Sequence, residues 1–355
     1  MTNVICRPLV SVIVHNFNYG KYLEECLTSV MAQTYENIEV LFSDNASTDN
    51  SWEIAQKFDK KYPNKFSLAK NRRNMGGHPN FKIWFSQLEG EYRLTLSSDD
   101  RLEPNFIEKA VNHLEKHRDC AFVMVHRSII DQKNELCIEA PFFNQDCILY
   151  PPGLSLLYLK ATINPSMSQI LYRVPRSPHN IRAPLYEDGP LRQFFRHRIY
   201  DFYISLENPI IYLKEPLLQH REHQENHARY AEENLLDVLG AYSLIFEFIE
   251  YVRVRKPSYL DLFEKQISSA IEKHAETALR YSARFIEKKN HDLAFRYAQL
   301  SLSIAPQLRH SKSYKEIFDY LSAATEDKKN TEQLNITHLL TRTISYDPPD
   351  PFSPL

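Results

Sequence analysis

The sequence predicts an α/β protein: a mostly parallel sheet flanked by helices, then an all-helical region. Three observations carry this. Short apolar, β-branched runs alternate with apolar stripes at helical spacing from Leu9 to His126, the pattern of strand–helix–strand units. After about Tyr230 and up to about Ser322 the helical period persists with almost no strand signal. Clusters of acids recur where apolar strands end or helices begin: Asp44, Asp99-Asp100 and Glu187-Asp188. In an open α/β sheet, ligands bind beyond the carboxyl ends of the strands.

In chain order, Leu9-Val-Ser-Val-Ile-Val14 reads as a buried strand and His15-Asn-Phe-Asn-Tyr-Gly20 as a turn. Tyr22, Leu23, Cys26, Leu27, Val30 and Met31 then fall on one helix face. Ile38 to Phe42 is a second strand that runs into Ser43-Asp-Asn-Ala-Ser-Thr-Asp-Asn-Ser51, a loop with an N-cap expected at Thr48 or Asp49. Trp52, Ile54, Ala55 and Phe58 mark the next helix, and Phe66 to Ala69 a weak strand. Asn71 to Asn80 is a polar loop, and Phe81, Trp84, Phe85 and Leu88 read as another helical stripe.

The stretch Leu94-Thr-Leu-Ser-Ser-Asp-Asp-Arg-Leu-Glu-Pro104 is a strand ending in two adjacent acids, before a helix from Asn105 to Lys116. Two such carboxylates are costly together unless something positive lies near. A divalent cation carrying a phosphorylated ligand would satisfy them; so would a solvated turn in which Asp caps the helix.

Cys120 to His126 is a strand; from Ser128 to about Pro152 the pattern gives way to hairpins and loop. Leu154 to Leu159 reads as helix and Ser168 to Tyr172 as strand; Tyr186 to Phe195 has acids opening a helix. Ile210 to Leu213 and Leu217 to His220 read as two strands, followed by the polar run Arg221 to His227. Asn290 to Pro306 has the spacing of one tetratricopeptide-like helix, without a second copy at the ~34-residue period of an array. The division expected is 1–228, 229–325 helical, and a loose polar tail over 326–355.

Bulk properties exclude several classes. The 355 residues are 43% apolar and 25% charged, ordinary for a globular chain. A net charge of -2 gives no bulk attraction to nucleic acid or to an anionic membrane. No apolar run reaches the ~18 residues of an integral membrane segment, and Met1 to Pro8 lacks the layout of a secretion signal. Five cysteines, odd in number and without CxxC, suit reduced thiols and a cytoplasmic setting. With 7 glycines there is neither GxGxxG nor GxxxxGK[ST].

Four segments in order then carry a resemblance: Pro8 to Val40, Ser43 to Ser51, Gly90-Glu-Tyr-Arg-Leu-Thr-Leu-Ser-Ser-Asp-Asp100, and Glu187-Asp188. Over roughly residues 8 to 228 the chain resembles family 2 glycosyltransferases of the GT-A fold. The resemblance implies an inverting enzyme that moves a sugar from a nucleotide-diphospho-sugar, UDP ahead of dTDP, to an acceptor hydroxyl. The acceptor would be a glycan, a lipid-linked glycan or a protein, in bacterial polysaccharide, lipid-linked glycan or glycoprotein synthesis. It also implies Mn²⁺ or Mg²⁺ as cofactor, a location in the cytoplasm or at the inner membrane face, and a helical region open to oligomer contacts.

The resemblance assigns roles residue by residue. Asp188 is the general base and Glu187 its support; Asp44 accepts from the base imide N–H; His15 and Phe17 pack the base. Asn74, Ser97, Asp99 and Arg221 contact the nucleotide-sugar, and Asp99, Asp100 and His223 hold the metal. The chain departs from the pattern twice. Ser97 replaces the first acid of the D-x-D motif, and Pro79 stands where many members carry arginine, leaving Lys82, Arg72 or Arg73 as the cations. Two other readings compete: a catalytically dead GT-A scaffold that binds sugar or nucleotide, and a sugar nucleotidyltransferase, whose Gly-rich basic loop after the first strand is missing here.

Overall fold

The structure is a computed structural model that describes residues 7–85, 87–174, 192–223, 227–325 and 345–355. Its strands are β1 Val10–Asn16, β2 Ile38–Asp44, β3 Phe66–Lys70, β4 Tyr92–Ser97, β5 Arg101–Leu102, β6 Phe122–Ile130, β7 Leu136–Cys137, β8 Cys147–Leu149, β9 Ile170–Arg173, β10 Ile210–Arg221 and β11 Phe352–Pro354. They form one sheet in the order β11-β8-β10-β6-β9-β4-β1-β2-β3, with β5 added to β10 and β7 to β6.

β3, β2, β1 and β4 are parallel neighbours, and β6 is parallel to β10. Between these blocks lies β9, antiparallel to both β4 and β6. Two reversals cancel, so β3, β2, β1, β4, β6 and β10 all point the same way. Their carboxyl ends share one rim, and the α/β class predicted above is present.

The alternation of side chains along buried strands assigns each face its cover. Val10, Val12, Val14, Leu94 and Leu96 join Leu23, Leu27, Ile54, Phe106 and Ile107 in one core. That core seats helices Gly20–Met31, Ser51–Lys61 and Phe106–Lys116 on one face. Phe122, Met124, Tyr172 and Tyr212 build a second core with Phe202, Leu244, Phe248 and Val252, on helices Arg192–Glu207 and Leu236–Arg255. Phe202 stacks on Phe248 with ring centroids 3.8 Å apart. A third cluster, around Tyr297 and Ile317, lies within the C-terminal helices.

The structure corrects several expectations. The helix in the Phe81–Leu88 stretch is only Gly77–Lys82; Trp84 is buried from a turn against Ile13 and Leu41, while Phe85 is exposed. Helix Ser51–Lys61 has Asn50, not Thr48 or Asp49, at its N-cap. The two strands expected over 210–220 are one, with register shifts on either side of Pro216, whose missing N–H cannot join a ladder. The Ser128–Pro152 stretch contributes the end of β6, β7 and β8. The end of the tail is not loose: β11 pairs antiparallel with β8. The second core runs across the boundary expected at 228.

Asp201 sits at this seam, fully buried, accepting from the hydroxyls of Tyr158 and Tyr172. Burial pushes its carboxyl up to about 7, against the tyrosine hydrogen bonds and Arg93.

Two outcomes follow. A chain ending at residue 230 loses Leu244, Ile245, Phe248, Ile249, Val252 and Phe263 from the second core and should lack a cooperative thermal transition in calorimetry. Asp201 is protonated in the fold up to about pH 7, whereas an unfolded aspartate ionises near ~4. Its contribution to stability therefore declines as pH rises between those values, by up to ~1.4 kcal/mol per unit. Urea midpoints of Asp201→Asn and the parent should diverge across that window, the variant gaining on the parent as pH rises.

Candidate active site

The shared rim brings together the residues at the ends of β1, β2, β4 and β10. Register places Asn16 of β1 beside Asp44 of β2, and His15 between Ser43 and Ser97. Asp44 has no exposed surface. Its Oδ1 accepts from Asn16 Nδ2 at 3.1 Å and from the Ser47 hydroxyl, and its Oδ2 accepts from Ser47 N–H at 3.0 Å. Asn18, in the left-handed region at φ 56°, receives Thr48 N–H on its Oδ1 at 2.8 Å. Where helix Gly20–Met31 meets this loop, Gly20 N–H donates to Asp49 Oδ2 at 2.8 Å, and a Cβ at residue 20 would lie 2.2 Å from Asn50 Oδ1, so that side chain would have to move aside. Phe17 is 39% exposed just beyond β1.

The loop after β3 is held by asparagines. Asn45 Nδ2 donates to Asn74 Oδ1 at 2.8 Å, and Asn45 Oδ1 accepts from Asn71 Nδ2 and from Met75 N–H. Asn71 also donates to Asn80 Oδ1, and Asn80 Nδ2 to the Ser43 carbonyl. Gly76, at φ 84°, takes the turn that other residues resist. Asn74 is thus part of the loop's own lacing.

At the end of β4 the chain turns at Asp99-Asp100, and the end of β10 lies against that turn. Asp99 Oδ2 is 3.1 Å from His223 Nε2. Its Oδ1 is buried without a hydrogen-bond partner among the described residues. Asp100 Oδ1 faces His220 Nδ1 at 2.9 Å and accepts Arg221 N–H at 3.0 Å. Burial opposes ionisation of Asp100, yet the His220 charge and hydrogen bond hold its pKa below the usual carboxylate value. Burial lowers His220 in turn, and Asp100 more than offsets this, so its pKa is raised. Tyr19 and Tyr22 flank the His223 ring at 5.3 and 4.8 Å between centroids.

Arg221 is fully buried. Its Nε donates to the Asp99 carbonyl at 2.9 Å, its other nitrogens to the Asp131 carbonyl, Asn134 Oδ1 and Glu25 Oε2 at 2.7 to 2.9 Å. The guanidinium also lies over the Tyr22 ring at 4.6 Å. Arg221 therefore binds protein groups, which corrects its expected role as a nucleotide-sugar ligand. Asp100 Oδ1 is taken up by His220 and Arg221, whereas its Oδ2, like Asp99 Oδ1, is buried without a hydrogen-bond partner among the described residues.

Among the described residues no three or more His, Cys, Asp or Glu side chains gather as a metal site. Asp99 and His223 still suit a divalent ion, since carboxylate and imidazole are ordinary donors and Asp99 has a buried oxygen without a partner. The other positions of the shell would fall to phosphate oxygens and water, as is usual for Mg²⁺. Glu187 and Asp188 lie outside the described residues. Glu25, His220, Asn45, Asn71 and Asn80 were not expected. His220 was legible only as the residue before Arg221-x-His223; the others are polar positions whose partners lie far away in sequence.

Arg221→Met should cost ~3–5 kcal/mol, because it leaves the carboxylate and carbonyls around it without their donor. Chemical denaturation measures this, and a change within 1 kcal/mol would mean that the guanidinium is not a structural node.

Over part of its length the chain is similar to known glycosyltransferases. The profile described as Glycosyl transferase family 2 matches residues 11–161. An uncharacterized glycosyltransferase of Haemophilus influenzae is 33% identical over 129 residues, 36% of this chain and 39% of the relative. Glycosyltransferase GlyG of Streptococcus pneumoniae is 41% identical over 101 residues, 28% of this chain and 33% of the relative. The match thus spans about two fifths or less of these relatives' lengths. Among solved structures, S. aureus TarS 1-349 in complex with UDP-GlcNAc aligns over 93% of this chain and 97% of its own, at 17% identity and a TM-score of 0.49. Over residues 11–161 this chain is therefore similar to glycosyl transferase family 2.

Proposed function

We propose that this chain is an inverting glycosyltransferase that takes a sugar from a nucleotide-diphospho-sugar, UDP ahead of dTDP, and transfers it to an acceptor hydroxyl. The observation that carries this is the Asp99–His223 pair with its buried, unpartnered carboxylate oxygen at the end of β4, beside strands that belong to the family segment. An unpaired buried carboxylate oxygen is costly, and a phosphate-bound cation offsets that cost.

The donor would lie along the rim. Phe17 and His15 would pack the base. Asp44 Oδ2 receives one described hydrogen bond, which leaves a lone pair for a pyrimidine imide N–H. Asn74 and Ser97 would border the ribose and diphosphate. Asp99 and His223 would hold Mn²⁺ or Mg²⁺, which when bound supplies charge neutralisation for the leaving nucleoside diphosphate. Arg221 positions the turn that carries Asp99. Asp188, supported by Glu187, would take the proton of the acceptor hydroxyl as its oxygen attacks the anomeric carbon, so direct displacement inverts that centre. The acceptor is a glycan, lipid-linked glycan or protein.

A panel of nucleotide-sugars with Mn²⁺ and with chelator tests this. Turnover should require the ion and be lost in Asp99→Asn. Asp188→Asn should lower kcat by ~10²–10⁴-fold with donor affinity nearly unchanged, the mark of an interaction made only in the transition state. UDP binding without turnover of any donor would favour the scaffold reading.

A further inference from the structure

Cations elsewhere on the surface are commonly paired: Arg7 with Glu108, Arg101 with Glu25, Lys109 with Glu215, Lys273 with Glu276, Arg284 with Glu222 and Glu232. One edge breaks this pattern. From residue 57 to 73 the chain carries Lys57, Lys60, Lys61, Lys65, Lys70, Arg72 and Arg73 against one acid, Asp59. That is a local excess of six positive charges in a chain whose net charge is -2. None of the seven makes an ion pair among the described residues; Lys65 donates to the Glu36 carbonyl.

The fold gathers them on one side. Lys57, Lys60 and Lys61 lie on the exposed face of helix Ser51–Lys61, whose Ile54, Ala55 and Phe58 face the core. Lys65 and Lys70 bracket β3, the edge strand, and Arg72 and Arg73 follow it, both exposed. At ~3.3 Å per residue the β3 edge alone spans ~16 Å. Half-buried aromatics are interleaved: Lys70 lies 5.3 Å from the Trp52 ring centroid and Lys61 5.2 Å from that of Tyr62. Acids at the border are Glu53 on the same helix, the exposed Glu36, whose carbonyl accepts from Lys65, and Glu39 on β2, which is bonded to the Ser11 hydroxyl.

Lysines on an edge strand also discourage strand-to-strand aggregation. That accounts for Lys70; it does not require three more on the helix and two arginines beyond the strand. We propose that this edge docks the protein on a bilayer surface rich in anionic phospholipid. The outer face of a helix and the edge of a sheet are outward surfaces that suit a plane, whereas a single polyanionic chain calls for a groove. Amphipathic aromatics among the cations fit the headgroup level. Docking there would set the β3 side of the rim, where Asp44 and Lys70 are register neighbours, near the membrane surface.

Co-sedimentation of the full chain with extruded vesicles tests this without any sugar donor. The protein should pellet with phosphatidylcholine vesicles containing ~30% phosphatidylglycerol, stay in solution with phosphatidylcholine alone, and be released near ~1 M salt, where the Debye length is ~3 Å. The triple variant Lys57→Gln, Lys60→Gln, Lys61→Gln should bind the anionic vesicles ~100-fold more weakly, each surface cation being worth several-fold. Its thermal transition should match the parent's, which separates lost docking from lost folding. Absence of binding to anionic vesicles, equal binding to neutral ones, or an unchanged triple variant overturns the proposal. Salt-sensitive binding of soluble polyphosphate with no vesicle binding replaces the bilayer by a polyanionic chain.

Discussion

The site depends on one buried guanidinium. Arg221 reaches a backbone carbonyl at the end of β4, a carbonyl and an amide side chain in the β6–β7 hairpin, and a glutamate on helix Gly20–Met31. These segments are up to 196 residues apart in sequence. A charge taken out of water is tolerated only when nearly all its donors are satisfied, so each partner is held where Arg221 needs it. The Asp99 carboxylate inherits this fixity, because its own carbonyl is one of the acceptors. Lysine could not substitute: it lacks the planar fork that serves four acceptors in different directions.

What was legible in the sequence was local. β-branched runs and helical stripes located β1, β2, β4 and helices Gly20–Met31 and Ser51–Lys61, since period and burial are written residue by residue. The direction of β9 was not legible. Ser168 to Tyr172 reads as a strand in any orientation, and its antiparallel insertion is decided by partners at residues 92–94 and 122–124. Pro216 hid the continuity of β10, because a residue without an N–H reads as a break while the strand passes it with a register shift. Arg221 was misread for a related reason. A charged residue in a polar run is expected at the surface, and only the long-range partners reveal that this one is interior.

The C-terminal helices are less separable than their composition suggests. The change from mixed to helical character near Tyr230 is real in the chain, yet Phe248 and Val252 fill the same core as Phe122 and Tyr212 of the sheet. Tyr203 stacks on Tyr251 with centroids 3.7 Å apart. At the other side of the sheet the chain returns, and Phe352–Pro354 covers the edge of β8. An edge strand left open is an aggregation hazard; the short β11, which carries Pro354, covers β8 and is itself the edge of the sheet. Composition marks where a pattern changes, whereas a domain boundary requires that few apolar contacts cross it.

Two unpaired sets of charge remain, and their information content differs with burial. The rim pairs most of its ions: His220 with Asp100, His223 with Asp99, Arg221 and Arg101 with Glu25. Against that background the buried, unpartnered oxygens of Asp99 and Asp100 stand out, because leaving them unpaired costs free energy that folding must offset. Along the β3 edge an unpaired lysine costs almost nothing, since water solvates it. One such residue says nothing about a partner. Seven on one surface, with a lone half-buried aspartate among them, is a different matter, because their summed field attracts counter-charge from outside the chain. The inference at the rim thus rests on the cost of two buried oxygens, and that at the edge on the number and segregation of many charges.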